Sequence, residues 1–161
     1  MSLPMSIWLF QSVYAMGLTV WLAIAVIDNI RAFRELEGAV GLTLSMALLR
    51  QAPPVETALA TRAVTSSVLS RSAALALLAL KLLALSAMAM GCCLLLFASG
   101  IDQARPWLNL ALSLFTLLLL AMHLGGLWFA YWIRQDDLQR GHLMLLVWIL
   151  GAFFLFNGSW A

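Results

Sequence analysis

Charge is what this sequence has least of. Asp, Glu, Lys and Arg together make up 10% of its 161 residues, and histidine and cysteine occur twice each. With so few titratable side chains, no nucleophile can be matched with a base, and no metal cluster or phosphate-cradling loop can be assembled, so independent catalysis is not expected. Cys92 and Cys93 are sequence neighbours that would point about 100° apart on a helix. That geometry disfavours a disulfide and their spacing matches no metal site, so they read as small apolar fillers. Nor do the apolar stretches alternate with polar residues as barrel strands would.

What is there instead is hydrophobic: 64% of the chain, with too little polar material to cover a soluble core. Four apolar stretches, residues 5–27, 72–99, 107–133 and 143–160, stand out. Each is near or above the roughly 20 residues a helix needs to cross a bilayer core of about 30 Å. Backbone polar groups in lipid must pair within their own segment. The expected fold is therefore all-α: one polytopic membrane domain with four transmembrane helices. Ala23-Ile24-Ala25 looks like a small-residue cleavage site, but no Lys or Arg precedes Arg31, so the first stretch reads as a retained span and not a signal peptide.

Orientation follows from where Lys and Arg lie near the membrane. The segments after the first and third spans hold Arg31, Arg34, Arg50, Arg62, Arg71, Arg134 and Arg140, whereas the opposite side has Arg105 and the amino terminus. Both segments are thus expected in the cytoplasm and both chain ends outside, in the periplasm of a Gram-negative host. Trp8, Trp107 and Trp160 near the outer ends, and Trp128, Trp132 and Trp148 toward the inner ends, suit interfacial belts. Trp21 finds no such place.

The segment 28–71 is too long for a bare loop. Leu36, Val40, Leu44 and Met46-Ala47-Leu48 form a helical stripe too short to span, which reads as an interfacial amphipathic helix ended by Pro53-Pro54. A second short helix is expected over 55–69. The short connections 100–106 and 134–142 make spans two, three and four sequential antiparallel neighbours. Asp136, Asp137 and Arg140 read as a solvated hairpin, and no internal repeat is evident.

Polar residues inside spans are costly unless they face protein or water, so they are the candidates for function. Lys81 comes first. It lies ten residues past Arg71, about 15 Å along a helix. Either its ammonium snorkels to cytoplasmic phosphates, or it points inward and needs a counter-ion from another subunit, a lipid or an anionic ligand, since no Asp or Glu lies well inside any span. His123, at nearly the same expected depth, shares a helix face with Asn109, Ser113 and Thr116, which Gly126 and Ala130 extend with small side chains. That face is expected to be buried, by interhelical hydrogen bonding or as a site for a partner or ligand. Ala87 and Gly91 form a small-residue contact on the second span. His142 is expected roughly 10–15 Å from His123 in depth, too far for both to ligate one haem iron.

The order of elements resembles the predicted small integral membrane proteins grouped as domain of unknown function 2165. The resemblance rests on Asp28-Asn29, Leu44-Ser45-Met46, Arg62-Ala63-Val64-Thr65-Ser66, and Gly125-Gly126-Leu127-Trp128-Phe129 with Trp132. It implies a bacterial four-helix inner-membrane protein. Where relatives are expected to carry a Glu in the second span this chain has Lys81, where they carry one between the glycines and Trp it has Leu127, and Asp137-Leu138-Gln139-Arg140 replaces a Trp-Asn-Gly-Gln type motif. Chemistry supported by those acids does not carry over.

The function expected from these residues is that of a non-catalytic accessory subunit of a larger inner-membrane complex, respiratory or otherwise engaged in electron transfer. The alternative is a quinone- or lipid-binding protein or minor transporter acting as a homo-oligomer. No cofactor is expected within the chain beyond lipid or quinone contact, and the expected partners are lipids and other integral membrane subunits, not nucleic acid.

Overall fold

The computed structural model describes residues 2–97 and 100–159. Among them the elements are all helical: α1 (Leu3–Arg31), α2 (Phe33–Leu44), α3 (Ser67–Phe97), α4 (Ile101–Trp128) and α5 (Asp136–Asn157), with short 3-10 turns at Ala47–Arg50, Ala58–Arg62 and Tyr131–Ile133. α1, α3, α4 and α5 are long and apolar enough to cross a membrane. Their outward faces remain apolar, with Phe10, Ile24, Leu83, Leu117, Leu150 and Phe154 all exposed, a surface suited to lipid and not to water.

The four long helices run up-down-up-down, and cross-helix hydrogen bonds fix their register. Trp8 Nε1 on α1 donates to the Leu95 carbonyl on α3 at 3.2 Å, and Gln11 Nε2 donates to the Leu155 carbonyl on α5 at 2.9 Å. α3 and α4 make the most extensive seam. Ala84, Ala87, Met88, Gly91 and Leu95 face Leu108, Ala111, Leu112 and Phe115 in one buried core. A Cβ on Gly91 would come within 2.7 Å of Leu108 Cδ2, so glycine here lets the two helices close up.

Several helix ends differ from those expected. α4 begins at Ile101 and so takes in residues 101–106, with Pro106 inside the helix. Polarity misled here: the apolar run starts at Trp107, but Arg105 is held by its own contacts, donating from Nε to the Phe156 carbonyl at 3.0 Å and pairing with Asp102 at 3.3 Å. At its other end α4 stops at Trp128, five residues short of the apolar run, because Ala130 turns left-handed at φ 53°. The helix expected over 55–69 is a 3-10 turn at Ala58–Arg62 followed by non-helical residues 63–66. Val64 N donates to the Leu44 carbonyl at 2.8 Å, and Ser66 Oγ accepts from Leu69 N at 3.3 Å, capping the start of α3. Asp136, Asp137 and Arg140 belong to the first turns of α5, not to a loop.

One of the expected interfacial tryptophans is also placed differently, and it meets the one for which no place was found. Trp148 lies midway along α5, where its ring meets Trp21 edge-on at 5.8 Å and Tyr14 at 6.1 Å. Trp21 in turn packs on Phe115 at 5.3 Å. These two rings therefore form an aromatic layer within the bundle. Trp160 lies outside the described residues.

Residues 33–66 fold over one end of the bundle, the capped end. α2 packs against α3, with Gly41 beside Ser70. A second small core joins Met46 and Leu49 to Ala130, with Val55, Leu59, Ala63, Phe129 and Ile133 around them. Its two halves are the same corner built twice. Ser45 N bonds to the Gly41 carbonyl and Phe129 N to that of Gly125. Met46 and Ala130 then take φ of 52° and 53°, and a 3-10 turn follows each. An arginine stands four residues past each left-handed residue, Arg50 as the last residue of the first turn and Arg134 just after the second.

Candidate functional site at the capped end of the bundle

The second corner does more than turn the chain. Because α4 ends early and Ala130 reverses the backbone, Tyr131 folds back beneath the last turn of α4, and its ring lies where a Cβ on Gly126 would approach to 2.8 Å. This puts the phenol between two imidazoles. Tyr131 Oη is 2.9 Å from His123 Nδ1 and 3.5 Å from His142 Nδ1. The two imidazole rings stand perpendicular with centroids 6.4 Å apart, and Tyr131 stacks on His142 at an interplanar angle of 22°. All three side chains are buried. Burial pushes the Tyr131 phenol above its ordinary range, so at neutral pH it remains an uncharged donor.

The proximity of the histidines corrects the expected separation in depth. That expectation ran the third span to residue 133 and began the fourth at 143. With α4 ending at Trp128 and α5 starting at Asp136, His123 and His142 lie roughly 7.5 and 9 Å from the ends of their helices. They therefore stand level. Sequence reading found His123 and missed Tyr131 as its partner. The available signal was the Gly125-Gly126 pair, which weakens the helix and leaves room for a ring.

Beside Tyr131 lies a cavity of about 10 Å³, lined by Thr43, Met46, Leu49, Ala130 and Gln135 among others, large enough for about one water. Among the described residues no group of three or more His, Cys, Asp or Glu comes together as a metal would require.

The other candidates scatter. Lys81 is half-buried on the inward stripe of α3 that runs through Ala74, Leu77, Ala84 and Met88. Taking the register from Gly91 against Leu108, it stands level with Leu118, about 7.5 Å farther from the capped end than His123. The two are thus not at one depth. Among the described residues, no carboxylate lies within ion-pair distance of Lys81. Asn109 forms a reciprocal amide pair with Asn157 on α5, both bonds 2.8 Å.

Ser113 is exposed and Thr116 half-buried, so the polar face of α4 is not uniformly packed. Both hydroxyl residues line an open groove of about 530 Å³ between α4 and α5, with Leu117, Leu146 and Ile149. Ala87 and Gly91 sit in the α3–α4 seam. Gly126 contacts Tyr131, and Ala130 belongs to the second core and not to the helix face.

Four apolar helices, with polar contacts confined to a few seams, define a small polytopic integral membrane protein. The chain matches the family described as predicted small integral membrane protein, domain of unknown function 2165, over residues 7–158, and it belongs to that family. Searches of curated proteins and of solved structures found no match.

Proposed function

We propose that this protein is a non-catalytic accessory subunit of a larger assembly in the bacterial inner membrane, with the capped end in the cytoplasm and both chain ends in the periplasm. The observation that carries the reading is Lys81. It occupies an inward position in the middle of α3 without a carboxylate partner in the described chain, and a cation at that depth calls for an anion from elsewhere. The scarcity of reactive side chains supports an anchoring or stabilising role over independent chemistry. Respiratory and other electron-transfer complexes are the first assemblies in which to look.

The test is gentle purification of the tagged protein from its native membrane, with mass spectrometry of accompanying chains and an absorption spectrum of the same sample. A stoichiometric partner, lost on Lys81→Met, is the expected result. Recovery of the chain alone from several mild detergents would overturn the reading.

The α4–α5 groove favours a second reading, a quinone- or lipid-binding protein or minor transporter working as a homo-oligomer. It predicts extractable quinone or tightly held lipid in a sample that contains no other chain.

A further inference from the structure

We propose that His123, Tyr131 and His142 form a buried proton-binding site in which a proton taken up at one imidazole is passed through the phenol to the other. This inference stands apart from the accessory-subunit reading and needs no partner chain.

The argument begins with hydrogen-bond valence. Both Nδ1 atoms face one phenol oxygen, which has a single hydrogen to give. In the resting state of this proposal the phenol gives that hydrogen to His123 Nδ1 across the shorter contact, 2.9 Å. The 3.5 Å contact is then the His142 Nδ1–H donating to the same oxygen. In this arrangement His142 Nε2 carries a free lone pair. A hydronium or buffer acid protonates Nε2. The His142 Nδ1–H bond breaks as its proton bonds to Tyr131 Oη, and the original phenol O–H breaks as its proton bonds to His123 Nδ1. One proton has entered, one positive charge has moved from His142 to His123, and no group has been oxidised or reduced.

The helices favour that direction of transfer. His123 lies toward the C-terminal, negative end of the α4 dipole, while His142 lies in the second turn of α5, toward the positive end of that helix. A water-sized cavity lies against Tyr131, the middle member of the array. The array also depends on a glycine at 126 to admit the ring and on the left-handed alanine at 130 that folds the phenol back toward the histidines.

The charged groups on neighbouring elements are otherwise placed. Arg134 binds the Pro53 carbonyl, Arg62 covers Trp128, Arg50 binds the Ser45 carbonyl, and Asp136 pairs with Arg140. Asp137 opens α5, Lys81 and Arg71 are on α3, Arg34, Glu35 and Glu37 are on α2, and Asp28 and Arg31 end α1. Among the described residues no carboxylate hydrogen-bonds to either imidazole.

The test is ¹⁵N-histidine NMR of the full chain in lipid nanodiscs, titrated from about pH 8.5 to about pH 4.5, across the ordinary histidine range. The expected result is a joint shift of both Nδ1 resonances at one midpoint, His123 Nδ1 moving toward the protonated form as His142 Nδ1 moves toward the unprotonated one. Tyr131→Phe, which keeps the ring against Gly126, should separate the two rings into independent titrations. Independent midpoints in the unaltered protein, or no proton uptake in that range, would overturn the proposal. If Tyr131→Phe loses its helical circular dichroism, His142→Gln serves in its place. It should shift the His123 midpoint, and an unchanged midpoint counts against the relay.

Discussion

At Gly126 a missing Cβ decides whether Tyr131 can reach the histidines at all. The phenol ring carbons lie 2.8 Å from where that atom would be, whereas nothing lies within 4 Å of the corresponding position on Gly125. A rigid aromatic ring pinned by two hydrogen bonds cannot yield as a leucine tip would. Gly126→Ala is therefore expected to destabilise the protein by about 1–3 kcal/mol, the usual range for overpacking. Gly125→Ala should be neutral or slightly stabilising, since alanine is the better helix former. Thermal unfolding of the two variants in one mild detergent checks this, and equal melting temperatures would mean that Tyr131 is free to move away. The same geometry explains why the chemistry of this site was hidden in the sequence. His123 is conspicuous as a lone polar residue in an apolar run, but Tyr131 lies inside what reads as continuous helix, and its role appears only once the backbone reverses at Ala130.

The repeated corner shows how short elements hold the long ones. α2 and α4 each end in a left-handed residue followed by a 3-10 turn, and the two turns meet in one apolar cluster. Arg62 adds a second tie: its guanidinium lies 4.4 Å from the Trp128 ring and donates to the Trp128 carbonyl at 3.3 Å. A partly exposed cation–π contact plus a hydrogen bond to a carbonyl is worth about 1–2 kcal/mol. Removing it should make opening of the cap roughly 5–30-fold more frequent. Arg62→Ala is expected to speed hydrogen exchange and proteolytic cleavage within residues 50–66 by that factor, with the exchange of α3 and α4 unchanged midspan. Cleavage at the original rate would show that the apolar cluster alone holds the cap. The four spans were legible because length and hydropathy report them directly. Their ends were not, since a helix continues through polar residues such as Arg105 when partners exist, and stops inside apolar ones when a left-handed residue intervenes. The doubled corner escaped notice because Met46 and Ala130 share a backbone shape without sharing a side chain.

For the molecule in its membrane, the distribution of arginine makes a prediction the fold can sharpen. Arg31, Arg34, Arg50, Arg62, Arg71, Arg134 and Arg140 gather at the capped end, against Arg105 at the other. Not all of them are free to set orientation. Arg62 and Arg134 are engaged with Trp128 and Pro53, while Arg31, Arg34 and Arg71 are exposed near helix ends. Even this reduced set outnumbers the single Arg105, whose charge is partly offset by Asp102, so the capped end should face the cytoplasm. With Cys92 and Cys93 first replaced by alanine, Gln51→Cys and Asp102→Cys place one exposed thiol at each end of the bundle. A membrane-impermeant maleimide added to intact cells should label position 102 and spare position 51, which should react only after permeabilisation. The inverse pattern would reverse the orientation and move the water-sized cavity beside Tyr131 to the periplasmic side. The proton site would then sample external pH, so the labelling experiment also determines which compartment the His123–Tyr131–His142 array answers to.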